Sequence, residues 1–278
     1  ELLSSGNINV GALIQVGGSL VLVGENLTGT GNIIVVDQLS ISGITNAIGA
    51  GYTGTATGIG ASLVTGTSNN TFDLTGDPTK FKIGSATFDK FTTVDAGATG
   101  TVIGTEGNDS FAIAGNKSVL VNGTTFEKIT SVTAGEGDDD VQHNATSWTV
   151  QGSEASLIEG VAFTDIESIN KDNHTDVDNN NAEITDRALV GTAGDDAFAL
   201  AGTNIVSVKG ITYYGIGEVD AGGEGAEGDD VESDSASWTV LGANATTVDG
   251  IEFTNVESVN KDNHTDVDNN NAEITDRA

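Results

Sequence analysis

Cysteine and methionine are absent from the 278 residues, and proline occurs once. Without cysteine the chain has no disulfide, no thiolate zinc site and no thiol nucleophile. Its stability therefore depends on packing, backbone hydrogen bonds and any bound metal. Long apolar segments are also missing: runs such as Ile33 to Val36 have four or five residues, whereas a membrane-spanning helix needs about 20. We expect no membrane insertion.

Positive charge is scarce, since 10 Lys and Arg face 41 Asp and Glu, for a net charge of -31. Binding to nucleic acid phosphates requires clustered basic residues, so nucleic acid is excluded as a partner. Such strong self-repulsion calls for an elongated body, bound cations or a salty medium. All three conditions favour an extracellular location. We interpret the chain as a mature or excised segment.

Internal duplication is the clearest feature that is present. Residues 170–188 read NKDNHTDVDNNNAEITDRA, and residues 260–278 repeat these nineteen letters without a change. Upstream similarity extends the duplication to a module of about 90 residues. We predict copies at 102–188 and 189–278, a related unit at 64–101, and a separate glycine-rich segment at 1–63. Residues 1–63 contain no Lys or Arg and three acids.

A shorter phrase recurs within these modules: an aromatic residue, a glycine turn, a stretch rich in Val and Ile, a second turn, and often a further aromatic. The openings are TFDLTG, SFAIAG, SWTVQG, AFALAG and SWTVLG, and their aromatic residues are predicted to lie in the core. Alternating apolar residues and turns such as Asn122–Gly123 predict three short strands per phrase. At most, 182–189 is expected to form two helical turns. The aromatic openers are Phe72, Phe111, Trp148, Phe198 and Trp238.

One phrase buries too few apolar side chains to fold alone, so each must stack on its neighbours. The first prediction is an all-β, right-handed parallel β-solenoid (β-helix) built from repeats, a rod on the order of 60 Å long. The alternative is a series of small antiparallel β-sandwich modules of about 90 residues each.

Three segments carry a family resemblance. GTEGNDSFAIAGNKSVLVNGTTFEKITSVTAG (104–135) and SWTVLGANATTVDGIEFTNVESV (237–259) resemble repeats of giant filamentous-haemagglutinin-like exoproteins of bacteria. GNINVGALIQVGGSLVLVGENLTGTGNI (6–33) is similar to their β-helical coils. The resemblance implies a very long, two-partner-secreted or similarly exported surface protein that acts in adhesion, biofilm matrix or contact.

Calcium is the cofactor that the sequence suggests. In the duplicated tails the D-x-D-x-N spacing aims three oxygen ligands at one centre, as Ca²⁺ requires. The loop departs from an EF-hand, with Asn181 in place of the glycine and Arg187 in place of the bidentate glutamate. The alternative is a solvated polar loop rich in Asx turns. The predicted ligands are Asp176, Asp178 and Asn180, with Asp266, Asp268 and Asn270 in the second copy.

A second metal prediction concerns Asp109 and Asp196, which occupy the same place in the motif G-x-x-G-x-D-x-F. It resembles half of a repeats-in-toxin nonapeptide, in which aspartate binds Ca²⁺ between coils. Such sites need copies nine residues apart, which this chain lacks. The alternative is a degenerate turn that precedes a core aromatic residue.

These observations predict a structural or adhesive repeat segment of a long extracellular bacterial surface protein, not an enzyme. Expected partners are neighbouring repeats, copies of itself, and a surface or matrix glycan or protein. One rival is a subunit that polymerises into an extracellular fibre or surface layer. The other is a β-helical enzyme acting on polysaccharides, which requires acid pairs with Lys or Arg in one groove.

Overall fold

In the computed structural model every regular element is a β-strand. The structure describes residues 2–3, 7–23, 26–42, 51–65, 69–143, 147–170, 175–176, 182–183, 187–223, 228–233 and 238–259. Within these ranges there is no helix, and most strands belong to one large sheet of parallel and antiparallel pairs. The prediction of an all-β protein is confirmed. No sheet closes on itself in the described part, so a solenoid stays a proposal.

The strands are short and follow one another closely. The first fifteen are β1 (Leu2–Leu3), β2 (Asn7–Val10), β3 (Ile14–Val16), β4 (Leu20–Val23), β5 (Asn26–Gly29), β6 (Ile33–Val35), β7 (Gln38–Ser42), β8 (Gly51–Tyr52), β9 (Thr55–Val64), β10 (Asn70–Leu74), β11 (Lys80–Ile83), β12 (Ala86–Ile103), β13 (Ser110–Gly115), β14 (Ser118–Val121) and β15 (Thr124–Thr133). The next eight are β16 (Asp140–Gln142), β17 (Ser147–Gly152), β18 (Ala155–Ile158), β19 (Val161–Thr164), β20 (Ser168–Ile169), β21 (Thr175–Asp176), β22 (Ala182–Glu183) and β23 (Arg187–Val190). The last nine are β24 (Ala197–Gly202), β25 (Ile205–Val208), β26 (Ile211–Tyr214), β27 (Ile216–Asp220), β28 (Asp230–Glu232), β29 (Trp238–Gly242), β30 (Ala245–Val248), β31 (Ile251–Thr254) and β32 (Ser258–Val259).

The chain divides into two compact units. Unit 1 comprises residues 1–139 with 159–163, and unit 2 comprises residues 140–158 with 164–278. The division falls inside the predicted module copy 102–188. The boundaries of the sequence modules therefore do not coincide with those of the compact units.

Unit 1 begins with parallel ladders in which each strand pairs with a strand one coil later. Leu20 lies opposite Leu39, and Leu39 lies opposite Leu63. Ile14 and Ile33 are likewise opposite each other, 19 residues apart. Because side chains alternate along a strand, the leucines at 20, 39 and 63 all point inward and are buried. This row of leucines forms part of the core of unit 1.

Each phrase from Phe111 onward folds as an antiparallel meander, and its second turn is a two-residue loop with both residues in the left-handed region. Asn122 and Gly123 have φ of 52° and 76°, and the pairs that begin at Glu159, Lys209 and Asp249 have closely similar angles. Left-handed conformation at both positions is the type I′ hairpin geometry that Asn-Gly favours. The predicted hairpin turn at Asn122–Gly123 is confirmed.

Successive phrases pair with each other in parallel. In unit 1, β12 pairs with β9 on one side and β15 on the other, with Val102 opposite Val132. In unit 2, β23 pairs with β27 and β27 with β31, all in parallel. Pairing is thus antiparallel within a phrase and parallel between phrases. Separate antiparallel sandwiches do not produce the second kind of pairing.

Glycine is required where two layers meet most closely. A Cβ on Gly104 would lie 1.7 Å from the carbonyl oxygen of Ala134, and one on Gly191 would lie 2.2 Å from that of Ala221. Both glycines begin the G-x-x-G-x-D motif. The motif glycine therefore permits backbone contact between stacked turns.

Two expectations need correction. Residues 182–189 are not helical where described, since Ala182–Glu183 and Arg187–Val190 are strands. Trp238 is only half-buried, whereas the other four aromatic openers are at least 99% buried. Trp148, its counterpart, lies opposite Leu189 of β23, which pairs with β17 in parallel.

Candidate functional site

The predicted residues Asp109 and Asp196 each cap a turn. The backbone N–H of Thr105 donates to Asp109 Oδ2 at 2.6 Å, and its hydroxyl donates at 3.0 Å. Thr192 makes the same two bonds to Asp196 Oδ2, at 2.6 and 3.0 Å. Phe111, two residues after Asp109, is fully buried. This geometry is that of a turn before a core aromatic residue.

These turns are linked by carboxylates that accept backbone N–H groups of the preceding turn. Asp139 Oδ1 accepts from Asp109 N–H at 2.6 Å in unit 1. In unit 2, Asp229 Oδ1 accepts from Asp196 N–H at 2.7 Å, and Glu257 Oε2 accepts from Asp229 N–H at 2.6 Å. We call Asp196, Asp229 and Glu257 the carboxyl ladder. Asp229 and Glu257 each accept a hydrogen bond from a backbone N–H group that would otherwise be left without a partner on burial.

Asp229 is the most perturbed acid of the ladder. It is fully buried, and its Oδ2 atom has no hydrogen-bond partner in the described part of the chain. Burial raises its pKa to about 6, opposed by the hydrogen bond from Asp196 N–H and reinforced by the charges of Glu257, Asp196 and Asp195. This carboxyl group can therefore take up a proton under mildly acidic conditions, when surface acids remain ionised.

One lysine partly compensates this negative charge. Lys209 Nζ lies 3.0 Å from Asp196 Oδ1 and donates to the Asp195 carbonyl oxygen at 2.7 Å. Asp196 Oδ1 is buried, so this pair is less screened than a surface pair. The cation is thus placed at the first acid of the carboxyl ladder, one turn away from Asp229.

The described residues contain no group of three or more His, Asp or Glu side chains arranged to hold a metal ion. Asp178, Asn180, Asp266, Asp268 and Asn270 lie outside the described residues, as does the side chain of Asp176. Calcium binding at the duplicated tails, and at Asp109 and Asp196, stays a prediction.

Arg187, which the EF-hand comparison placed at a ligand position, is a core residue. It is 1% exposed, and its guanidinium carbon lies 5.0 Å from the ring centre of Trp148, in cation–π geometry. Its Nη1 donates to the Tyr214 carbonyl oxygen at 3.4 Å, and Tyr213 lies 6.2 Å from Trp148. The sequence carries one signal for this role: an arginine directly before the apolar run Ala188 to Val190.

Unit 1 has a polar groove of about 540 Å³ beside the turn between β13 and β14. Its lining includes Lys117, Lys128 and the carboxylate Glu127, together with threonine hydroxyls and an asparagine amide. Lys128 Nζ lies 2.7 Å from an Asp95 oxygen. The groove offers amine, hydroxyl and amide groups, which suit a hydroxyl-rich or anionic ligand.

Among the described residues no helix has the length and apolar character to cross a membrane. Comparisons with known proteins show no similarity: no family model, no curated protein and no solved structure matches the chain.

Proposed function

We propose that the chain is a structural and adhesive repeat segment of a long extracellular bacterial surface protein, folded as a right-handed parallel β-solenoid. The observation that carries this proposal is parallel pairing between phrases, as in β9–β12–β15 and β23–β27–β31. Parallel partners recur about every 30 residues, as Val102 opposite Val132 and Leu189 opposite Val219 show. Each such layer, here called a rung, extends a hydrogen-bonded stack, which is how stacked repeats become stable.

Charge supports the same proposal. A net charge of -31 on 278 residues is tolerated when the acids are spread along an elongated body in a salty exterior.

A length series tests the stalk. The chain is compared with a version in which residues 189–278 are repeated four more times after Ala278. If a module of three rungs adds about 14 Å, the longer chain gains roughly 60 Å in maximum dimension by small-angle X-ray scattering. A compact globule would grow far less, and that result would reject the stalk.

Adhesion is tested at the groove of unit 1. Beads coated with the chain are expected to bind hydroxyl-rich matrix polysaccharides, and Lys117→Asn is expected to weaken that binding severalfold. Asparagine is a matched replacement because Asn204 and Asn244 hold the same left-handed turn position in unit 2. Equal binding by wild type and variant would exclude this groove, and turnover of the polysaccharide would favour the enzyme.

Calcium stabilisation is a separate part of the proposal. Calcium at ten times the dissociation constant would stabilise each site by roughly 1.4 kcal/mol. We expect a rise in melting temperature with Ca²⁺ that equal ionic strength of Na⁺ does not reproduce. If both salts shift the melting temperature equally, the acids are merely screened.

A further inference from the structure

The groove of unit 1 is lined by two lysines whose backbone lies in the left-handed region. Lys117 and Lys128 have φ of 55° and 63°. Glycine, asparagine and aspartate favour this region, whereas other side chains crowd the backbone there. A lysine held in such a conformation therefore points to a constraint other than the turn itself.

Unit 2 shows what the turn at Lys117 requires. Glu154 and Asn204 hold the same position, with φ of 52° and 56°. The Lys117 carbonyl oxygen accepts the N–H of Ile129 at 2.9 Å. In the same way the Asn204 carbonyl oxygen accepts the N–H of Ile216 at 2.9 Å. The turn thus forms with an acid or an amide in place of the amine, so the amine is available for another role.

Of the two lysines, Lys117 is the one whose amine a ligand can contact. Lys128 Nζ lies 2.7 Å from an Asp95 oxygen, so its charge is already paired. Lys117 is exposed and forms no ion pair with any residue that the structure describes. The lining holds these two lysines and one carboxylate, Glu127, and so carries one positive charge in excess. This excess is opposite in sign to the net charge of the chain, which is -31.

The rest of the lining is neutral and polar. The groove has a volume of about 540 Å³, within the range of small-molecule sites. Its hydroxyl groups belong to Thr99, Ser118 and Thr130, and its amide belongs to Asn116. Hydroxyls and amides both donate and accept hydrogen bonds, as sugar hydroxyls do. The groove thus combines groups that suit a sugar with one amine that suits an anion.

We propose that the groove binds a sugar unit that carries a single negative charge, with its anionic group on the Lys117 amine and its hydroxyls on the polar lining. This inference rests on the proposed adhesive function and names the ligand class of that site. A lone amine offers one charge and no bidentate fork, which suits a monoanion such as a carboxylate or a sulfate ester. The net charge of -31 repels dense polyanions, so the matching polymer is a largely neutral polysaccharide with sparse acidic units.

Three glycosides that share one ring separate charge from shape: methyl glucoside, methyl glucuronide and methyl glucoside 6-sulfate. Each is titrated into the ¹⁵N-labelled chain, and the amide shifts give a dissociation constant. The shifts should be confined to residues 98–99, 114–118 and 127–130, which surround the groove. At low salt at least one charged sugar should bind about threefold to tenfold more tightly than the neutral sugar. High salt should reduce this preference by screening, and the preferred sugar identifies the anionic group.

Lys117→Asn isolates the contribution of the amine. The variant should bind the charged sugars no more tightly than the neutral one. Its melting temperature should not fall, because asparagine suits a left-handed turn. Lys82→Gln is the matched control, since it removes the same charge from an exposed position outside the groove lining and should keep the preference.

Each other outcome rejects a defined part of the reasoning. Equal binding of all three sugars by wild type, or a preference that survives in Lys117→Asn, would overturn the inference and leave the adhesive function standing. A preference lost equally in Lys82→Gln would assign it to overall charge and would also overturn the inference. If none of the sugars binds, the proposed adhesion at this groove fails as well, whereas the scattering experiment tests the stalk independently.

Discussion

Replacement of Asp229 by Asn should stabilise unit 2 at neutral pH. Asn keeps an oxygen that can accept the Asp196 N–H, a bond of 2.7 Å in the wild type. It removes the charge that burial disfavours and that Glu257, Asp196 and Asp195 repel. The substitution thus separates the structural role of the side chain from its electrostatic cost.

The pH dependence follows from the raised pKa. With a value of about 6 in the folded chain against 3.8 for the ordinary group, the folded chain holds the Asp229 proton more tightly than the unfolded chain. Its contribution to stability is present at low pH and is lost as the pH rises through 6. The full difference in pKa corresponds to about 3 kcal/mol of folding free energy. Water near the exposed Asp195 and the half-buried Glu257 screens their charges and reduces this contribution to on the order of 2 kcal/mol.

Urea unfolding at pH 4.5 and pH 8 measures the effect, with fluorescence of Trp148 and Trp238 as a signal from unit 2. Asp229→Asn should exceed wild type by about 1–2 kcal/mol at pH 8 and by much less at pH 4.5. Glu252→Gln, an exposed change in the same module, should stay within about 0.5 kcal/mol at both values. A variant less stable than wild type at pH 8, or an equal gain at both pH values, would refute the assigned cause.

Three further substitutions test packing and turns. Gly191→Ala should lower the free energy of unfolding by roughly 2–3 kcal/mol in thermal melts, because its Cβ would meet the Ala221 carbonyl. Gly194→Ala is the control: its Cβ would make only an ordinary contact with the Thr192 hydroxyl, so the change should stay within about 0.5 kcal/mol. Glu159→Asn should raise the free energy of unfolding in urea by about 0.5–1 kcal/mol because φ is 49° there, and a lower value would contradict the turn assignment. Arg187→Ala should cost roughly 3 kcal/mol and shift tryptophan emission, and unaltered emission would remove the cation–π contact from the account.

Strand content and hairpin turns were predictable because they depend on local patterns. Alternation over four residues and the Asn122–Gly123 pair specify a strand and its reversal without knowledge of neighbours. The turn before Phe111 followed from the same kind of information. Its aspartate was assigned to calcium or to a turn, and only the hydrogen bonds of Thr105 decide that it caps the turn.

Features that depend on contacts between neighbouring rungs could not be predicted from the sequence. Burial of Asp229 arises from a turn 28 residues further on, which brings Glu257 against its backbone. Val150 and Val240 lie in identical tetrapeptides, yet one is buried and the other exposed. Four identical residues cannot themselves specify two degrees of burial, because burial depends on the residues that pack against them.

The buried arginine also bears on how such a chain changes over generations. Arg187 lies in the nineteen residues that both copies share, next to the joint with the module that follows. Recombination between the two identical stretches would add or delete ninety residues and still place an arginine ahead of the next module. The number of modules can therefore change while the sequence at each junction between modules stays the same. Selection can then act on the length of the protein without any change within a module.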